Sequence, residues 1–292
     1  MRFEIRVQFI LIAARHTDGS GGGAGMTHTF PDLVFEFCSR EDRRYKKVRD
    51  LHYVENKGAH AQQVHFLIWY EGTMAGVISG GSAAYAVASR DIFFGITREN
   101  RERVLNGVID NTVFRLVNNE PNLATRVIAL WRKVIPLVWE DLYGVPVFGF
   151  ETFVVEEDHR KGSLYKADNW TLVGETSGNG KSHENGLTAA LTRKTVVPKL
   201  IFCKWRDGFS APVESDYVSS WKGKTPEEKQ RGKAIAERRK HYMGKVFYIR
   251  NSHTLNSVSF TPRRNVLLAA NHDHVSSMAA VQAALVAKRR ET

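Results

Sequence analysis

Cysteine is nearly missing from this chain: Cys38 and Cys203 are the only two in 292 residues, and they lie far apart. A disulfide framework or a Cys-rich zinc site needs more thiols at closer spacing, so neither is supported, and a reducing compartment fits. Acidic residues are also short. With 31 Asp and Glu against 42 Lys and Arg the net charge is +11, which points to a polyanionic partner and says nothing about fold. Long apolar runs are absent as well. The run nearest the start, Phe9 to Ala14, is too short to cross a bilayer and has no small-residue cleavage site after it, so no membrane association is expected. No internal repeat is visible.

What is present suffices for a soluble globular protein: 42% of residues are hydrophobic and 11% aromatic, enough for a full core. The charge is unevenly placed. From Lys222 onward there are 15 Lys or Arg and 5 Asp or Glu, so almost all of the net +11 sits in the last quarter. Near the other end, DGSGGGAGM is a flexible Gly/Ser run ending at Met26. Residues 1–25 therefore read as a disordered leader, with Met26 as a second possible start, or as an extra strand. The expected division is a leader at 1–25, a catalytic domain at 26–210 and a basic C-terminal extension at 211–292.

Hydrophobic spacing predicts an α/β fold. Phe30 to Phe37 reads as a strand and Ser39 to Asp50 as a basic helix or loop; His65 to Tyr70 and Met74 to Ser79 form a hairpin over Glu71-Gly72, which Gly80-Gly81 then breaks. SAAYAVASRDIFFGI and Glu99 to Ile109 read as helices, and Asn111 to Leu116 as a strand. Asn122 to Trp139 is the clearest helix, with Leu123, Val127, Leu130, Val134 and Leu137 as its apolar stripe and Asn122 as its cap. Val145 to Val155 is too apolar for a solvent-facing strand and belongs at the centre of a sheet. Leu200 to Lys204 adds another strand, Thr225-Pro226-Glu227 opens a capped helix with a basic later face, Val246 to Arg250 suits a short strand and Ser276 to Arg290 a last helix.

The segment after the central strand is HRKGSLYKADNWTLVGET. A basic Gly loop before a helical turn can hold an anion, because the first N–H groups of a helix lack partners and its dipole favours negative charge. Arg160, Lys161, Gly162 and Ser163 are the residues of that loop, although such a loop is often only a turn. Glu151 interrupts the buried strand and needs a partner or a task; Arg115 is its simplest partner. His65 in an apolar strand reads as a satisfied core histidine, and Trp170 as core. His272-Asp273-His274 offers two imidazoles with no further ligands, so no metal is expected.

The segment resembles the acetyl-coenzyme-A site of the GNAT acyltransferases, in which a Gly loop holds the cofactor pyrophosphate and Tyr-x-x-x-Gly-Phe follows. Here Asn169-Trp170 replaces Gly-Phe. That substitution is similar to two GNAT-like families, the phage Mom proteins and the domain of the Druantia anti-phage protein DruA, which share His-x-Gly-x-x-Tyr-x-Ala-x-Asn-aromatic. In this chain the pattern is carried by His159, Gly162, Tyr165, Ala167, Asn169 and Trp170, with one extra residue between His159 and Gly162. LHYVENKG, GTMAGVISGGS and FRLVNNEPNLATRVIALW match further elements in order, and the resemblance runs over about residues 35 to 205.

The resemblance implies a GNAT-like central mixed sheet flanked by helices. It also implies a transferase that places a carbamoylmethyl-type group on N6 of adenine in double-stranded phage DNA, within the bacterial cytoplasm, as protection from restriction. The donor is left open between acetyl-CoA and another acyl or aminoacyl compound. Such a reaction requires an extruded base and a proton acceptor, because the amine lone pair is delocalised into the ring. His52 and Tyr53 are the acid/base candidates, while Arg115, Glu151, Tyr165 and Asn169 complete the catalytic set. Asn111, Asn118 and Asn119 can read adenine through their amides, and Arg238, Arg239, Lys240, Arg263 and Arg264 suit phosphates. Two other readings stand beside this one: a non-transferring or anti-phage-defence DNA-binding protein on the same scaffold, and an ordinary GNAT N-acetyltransferase.

Overall fold

Alternating apolar residues pair into a sheet wherever a turn permits, and the clearest case is the hairpin of β2 (Gln63–Tyr70) and β3 (Thr73–Ser82). Its two turn residues, Glu71 and Gly72, have φ of 47° and 76°, the positive values that let a two-residue turn follow the strand twist. In this computed structural model the described residues are 32–52, 62–118, 120–157, 161–176, 197–217, 225–249 and 258–262. Nine strands form one sheet in the order β6-β7-β5-β4-β3-β2-β1-β8-β9. Besides the hairpin these are β1 (Leu33–Cys38), β4 (Val108–Leu116), β5 (Gly149–Val155), β6 (Thr171–Glu175), β7 (Lys199–Trp205), β8 (Lys245–Ile249) and β9 (Val258–Pro262). Among the described strands only β4 and β5 pair in parallel. The crossover between them is α4 (Leu123–Tyr143), as a parallel pair requires.

The expected architecture, a central mixed sheet with helices against it, is the one observed. One face carries the main core: Val127, Leu130, Trp131, Val134, Val138 and Trp139 of α4 pack on Phe66, Ile78, Ile109 and Phe150. Leu137, which spacing places in that stripe, is 38% exposed, because the buried side is broader than a three-four repeat and turns away there. Helix and sheet approach closely at Gly80, where a Cβ would lie 2.2 Å from Ile135 Cδ1 and 2.8 Å from Ile109 Cγ2. The other face is covered by α1 (Arg43–Arg49), α2 (Ala88–Phe94) and α3 (Arg101–Val104).

Several local expectations are corrected. Gly80-Gly81 does not end β3; the strand runs on to Ser82 through a register shift between Ser79 and Gly81. Of the long helix expected after it, only α2 forms. The helix expected over 99–109 shrinks to α3 and a short 3-10 turn at Leu105–Gly107, since Val108 and Ile109 are buried in β4. Asn122 has a left-handed φ of 59° and gives α4 no side-chain cap. Thr225 does cap α6 (Pro226–Tyr242), in a reciprocal capping box with Glu228. The segment read as a basic extension joins the sheet, as β8 pairs Phe247 with Phe35 and Val246 with Glu36 of β1. The leader at 1–25 and the helix expected over 276–290 lie outside the described residues.

Candidate active site

The parallel ladder between β4 and β5 is short. It covers Val108 with Gly149, Ile109 with Phe150 and Asp110 with Glu151, and stops there, so the two strands fork toward their carboxyl ends. Crevices at the carboxyl ends of parallel strands are where open α/β sheets bind ligands. At the same level β4 holds one residue more than β3: Ser79 faces Val113 while Gly81 faces Asp110. A bulge of this kind re-aims side chains. Here it changes which face Asn111 and Val113 serve, so Asn111 meets Tyr165 on the α4 face while Val113 packs under α1.

A buried polar chain fills the fork. Asn111 Nδ2 donates to the Ser79 carbonyl at 3.0 Å, so its Oδ1 is the acceptor that takes the Tyr165 hydroxyl at 2.9 Å. The Thr152 hydroxyl lies 3.3 Å from the Asn111 carbonyl and 3.4 Å from the Tyr165 oxygen. On the opposite face the Ser79 hydroxyl bonds His65 Nδ1 at 2.9 Å and the Tyr45 hydroxyl at 2.7 Å. His65 is the satisfied core histidine expected; burial pushes its pKa down to about 3, so the ring is neutral.

Below Asn111, on the face covered by α2, lies a charged cluster. Glu151 is fully buried and accepts from the Ala84 N–H at 2.9 Å and from Arg90 Nη1 at 2.5 Å. Its partner is therefore Arg90, not Arg115, because Glu151 points to α2 while Arg115 is exposed further along β4. Arg90 also donates to Asp91 and the Ala84 carbonyl, and Arg101 reaches the second Asp91 oxygen at 2.7 Å. Asp110 stands beside Glu151 in register with no hydrogen bond to its buried Oδ1 among the described residues. Burial, then the Glu151 charge, hold its carboxyl well above the usual range.

The basic loop leads into α5 (Ser163–Ala167), a helix of 5 residues. Gly162 is glycine for a packing reason: φ is 67° and a Cβ would lie 2.3 Å from the Phe202 ring. The next turn is latched. Asp168 takes a two-pronged bond from Arg132 at 2.6 and 2.9 Å and the Trp170 indole N–H at 2.8 Å. Lys204 Nζ donates to the Asp168 carbonyl at 2.7 Å. Asn169 is exposed and sits in the left-handed region at φ 58°, past the end of α5, so it does not share a helical face with Tyr165. Trp170 is core, as expected, packed on Tyr165 and Phe150.

The remaining predicted residues are dispersed. Half-buried His52 closes the end of α1, its backbone N–H bonding the Arg49 carbonyl. Lys161 and Ser163 are exposed at the start of α5, while Tyr53, Asn119, Arg160, Arg263 and Arg264, with the His272-Asp273-His274 motif, lie outside the described residues. Asn118 is half-buried, with an Oδ1 that has no hydrogen-bond partner among the described residues. Arg238 caps the end of α4 through the Asp141 and Leu142 carbonyls, and Arg239 bonds the Gln63 carbonyl and the Tyr143 hydroxyl. Lys240 pairs with Glu237. No group able to hold a metal occurs among the described residues, and none of the described helices is long and apolar enough to cross a membrane. Sequence reasoning missed Asp110, Arg90 and Asp168; the polar residues inside DNT and ADN were the available signal for two of them.

Comparison with known proteins adds a family and a set of distant folds. The family model described as Druantia protein DruA matches residues 28–215. No curated protein matches. Among solved structures, NAA60 of Arabidopsis thaliana in complex with a bisubstrate analogue is 15% identical over 59% of this chain and 98% of its own, with a TM-score of 0.35. Spermidine N-acetyltransferase of Vibrio cholerae is 8% identical over 60% and 94%, also at 0.35. The microcin C7 self-immunity acetyltransferase MccE, with acetyl-CoA and AMP, is 15% identical over 49% and 61%, at 0.29.

Proposed function

The chain belongs to the Druantia protein DruA family, and from that premise we propose that it is a GNAT-like transferase that places a small acyl-derived group on the N6 amine of adenine in DNA. The observation that carries this reading is the fork: β4 and β5 part after Asp110 and Glu151, and a tyrosine hydroxyl is held in the opening by Asn111. Beyond the last pair, the β4 edge facing β5 offers backbone N–H and C=O groups to an extended donor arm, and Lys161 and Ser163 present a charge and a hydroxyl to its phosphates. These residues fit an acyl-CoA, acetyl-CoA or a relative. When bound, such a donor supplies an activated carbonyl carbon.

The chain's own residues then have separable tasks. Tyr165 keeps a proton at the reacting end of the fork, available to a departing group. Asn111, with both amide atoms engaged by Ser79 and Tyr165, orients that hydroxyl instead of reading a base edge. The exposed cations of α6, Lys229, Arg231 and Lys233, suit phosphates of a polyanion. Druantia membership favours a part in anti-phage defence, with the carbamoylmethyl group of the Mom proteins as the finer form of the product.

The test is nucleoside mass spectrometry of DNA from cells expressing the protein. A deoxyadenosine species heavier by a small acyl-derived group is expected. Unmodified deoxyadenosine alone, in those cells and in phage grown on them, would refute the transferase reading and leave salt-sensitive DNA binding without transfer in its place.

A further inference from the structure

The loop that joins β3 to α2 is tied down at one residue. Ala84 donates its N–H to Glu151 at 2.9 Å and accepts Arg90 Nη2 on its carbonyl at 2.6 Å, so both of its backbone groups end on the buried ion pair. From there Arg90 reaches Asp91, Arg101 donates to the other Asp91 oxygen at 2.7 Å, and the Arg101 guanidinium lies over the Tyr85 ring, 5.5 Å from its centroid. The last member of this series is not covered. Tyr85 is 61% exposed, whereas Tyr45, Tyr143 and Tyr165 are buried; Arg101 takes one face of the ring and the other is left to solvent. Its neighbours in SAAYAVA are small, and Ala84, Ala86 and Ala88 are themselves exposed, too short to shield it. A ring that stays in water while its backbone and one face are fixed has already lost the freedom that a ligand would otherwise take from it. The position is equally specific. Glu151 belongs to the last rung of the parallel ladder, so Tyr85 follows directly on the residue tied to the base of the fork.

We propose that Tyr85, backed by Arg101, is a stacking platform for a base of DNA that has left its duplex, on the face of the sheet opposite Tyr165. This rests on the DNA part of the function proposed above. An amine on a base inside a duplex is shielded by pairing and stacking, and a base that swings out needs a flat apolar surface in place of the stack it leaves. A tyrosine ring offers such a surface to the π face of any base, whatever its edge groups, and a guanidinium on the far side of the ring adds a cation to the stack. The gap between β4 and β5 opens on both faces of the sheet. Tyr165 and the start of α5 stand on one of them, with Glu151, Arg90 and the Tyr85 loop on the other. A donor held on the first face leaves the second to the base, and there Tyr85 meets it. The buried charges thereby gain a task, since the series from Glu151 through Arg90 and Asp91 to Arg101 sets both the loop and the ring.

The experiment uses the full chain and two variants, Tyr85→Ala, which removes the ring, and Tyr85→Phe, which keeps its π face. Each is titrated against two labelled strands of equal length and charge: single-stranded oligodeoxyadenylate, and the same backbone with abasic sites in place of its bases. Wild type should bind the strand with bases more tightly. Tyr85→Ala is expected to weaken that binding about 5- to 150-fold, the scale for losing one ring under one base, and to bind the abasic strand as wild type does. Its slope of log affinity against log salt should not change, because no phosphate contact is lost. Tyr85→Phe should keep the preference for bases. A wild type with no such preference, a Tyr85→Ala that retains it, a Tyr85→Ala that weakens on both strands alike, or a Tyr85→Phe that loses it overturns the platform, whether or not deoxyadenosine is modified in cells. The expected pattern supports the platform even where nucleoside digests show no modified deoxyadenosine; the transferase reading then fails and base binding stands.

Discussion

Replacing Arg90 by Met tests the charged floor of the fork. Arg90 and Glu151 are both fully buried and in contact, and Arg90 also binds Asp91 and the Ala84 carbonyl. Met keeps much of the stem but leaves Glu151 with the Ala84 N–H as its only described partner. Removing one member of a buried pair costs about 3–5 kcal/mol, because an uncompensated charge remains. Asp91 retains Arg101 and should add little. Arg90→Met is therefore expected to lower the urea-derived stability by about 3–5 kcal/mol near neutral pH. Burial already raises Glu151, and Arg90 opposes that rise. Without Arg90 the carboxyl rises further, so its penalty is greatest at high pH and shrinks as pH falls and the group takes up a proton. Adding Glu151→Gln keeps an acceptor for Ala84 and removes the charge, and should restore about half of the loss or more. A single variant within about 1 kcal/mol of wild type, or a double variant no more stable than the single, would refute this account of the cluster.

Tyr165→Phe should abolish or sharply reduce deoxyadenosine modification while lowering stability by only about 1–2 kcal/mol, the consequence of an unpaired Asn111 oxygen; nucleoside digests beside thermal melts check both halves. At Asn169, where φ is positive, Gly should be tolerated and Ala should cost about 1–2 kcal/mol of left-handed strain, an order that equal melting points for the two variants would contradict. His65, held neutral by burial, favours the folded state above its ordinary pKa of 6.5 and loses that contribution as pH falls toward about 3. His65→Gln should flatten the acid limb of the stability–pH curve, measured by denaturation between those limits.

Elements with one strong local signal were legible in the sequence. The β2–β3 hairpin announced itself through Glu71-Gly72, α4 through its apolar spacing, and α6 through Thr225-Pro226-Glu227. In the candidate site, Tyr165 and Glu151 stood out in the sequence as polar residues that need partners, but the partners themselves did not. Glu151 is held by Arg90, from a helix whose length the apolar spacing overstated. Asn111 looked like a base reader because a period of two cannot anticipate the extra residue in β4, and that residue decides which face its side chain serves. The Asp168 latch was hidden for another reason: in ADNW the eye falls on Asn and Trp, yet Asp168 fastens the turn to Arg132 and to the Trp170 indole. Arg238 and Arg239 read as phosphate contacts from their charge, whereas their guanidinium groups dock α6 onto α4 and β2.

The pairing of β8 with β1 has a consequence for how the chain is made. All six residues of β1, LVFEFC, are buried, and one of its two edges is closed only by Val246 and Phe247. At about 5–20 residues per second of synthesis, an interval of about 10–40 s separates the emergence of β1 from that of the strand that covers it. During that interval an apolar, short, proline-free strand presents open backbone groups, the kind of edge that recruits a second chain. Chains truncated before Lys245 should thus accumulate in the insoluble fraction at levels where chains that include β8 do not, so a strand translated long after β1 acts as a built-in guard against self-association.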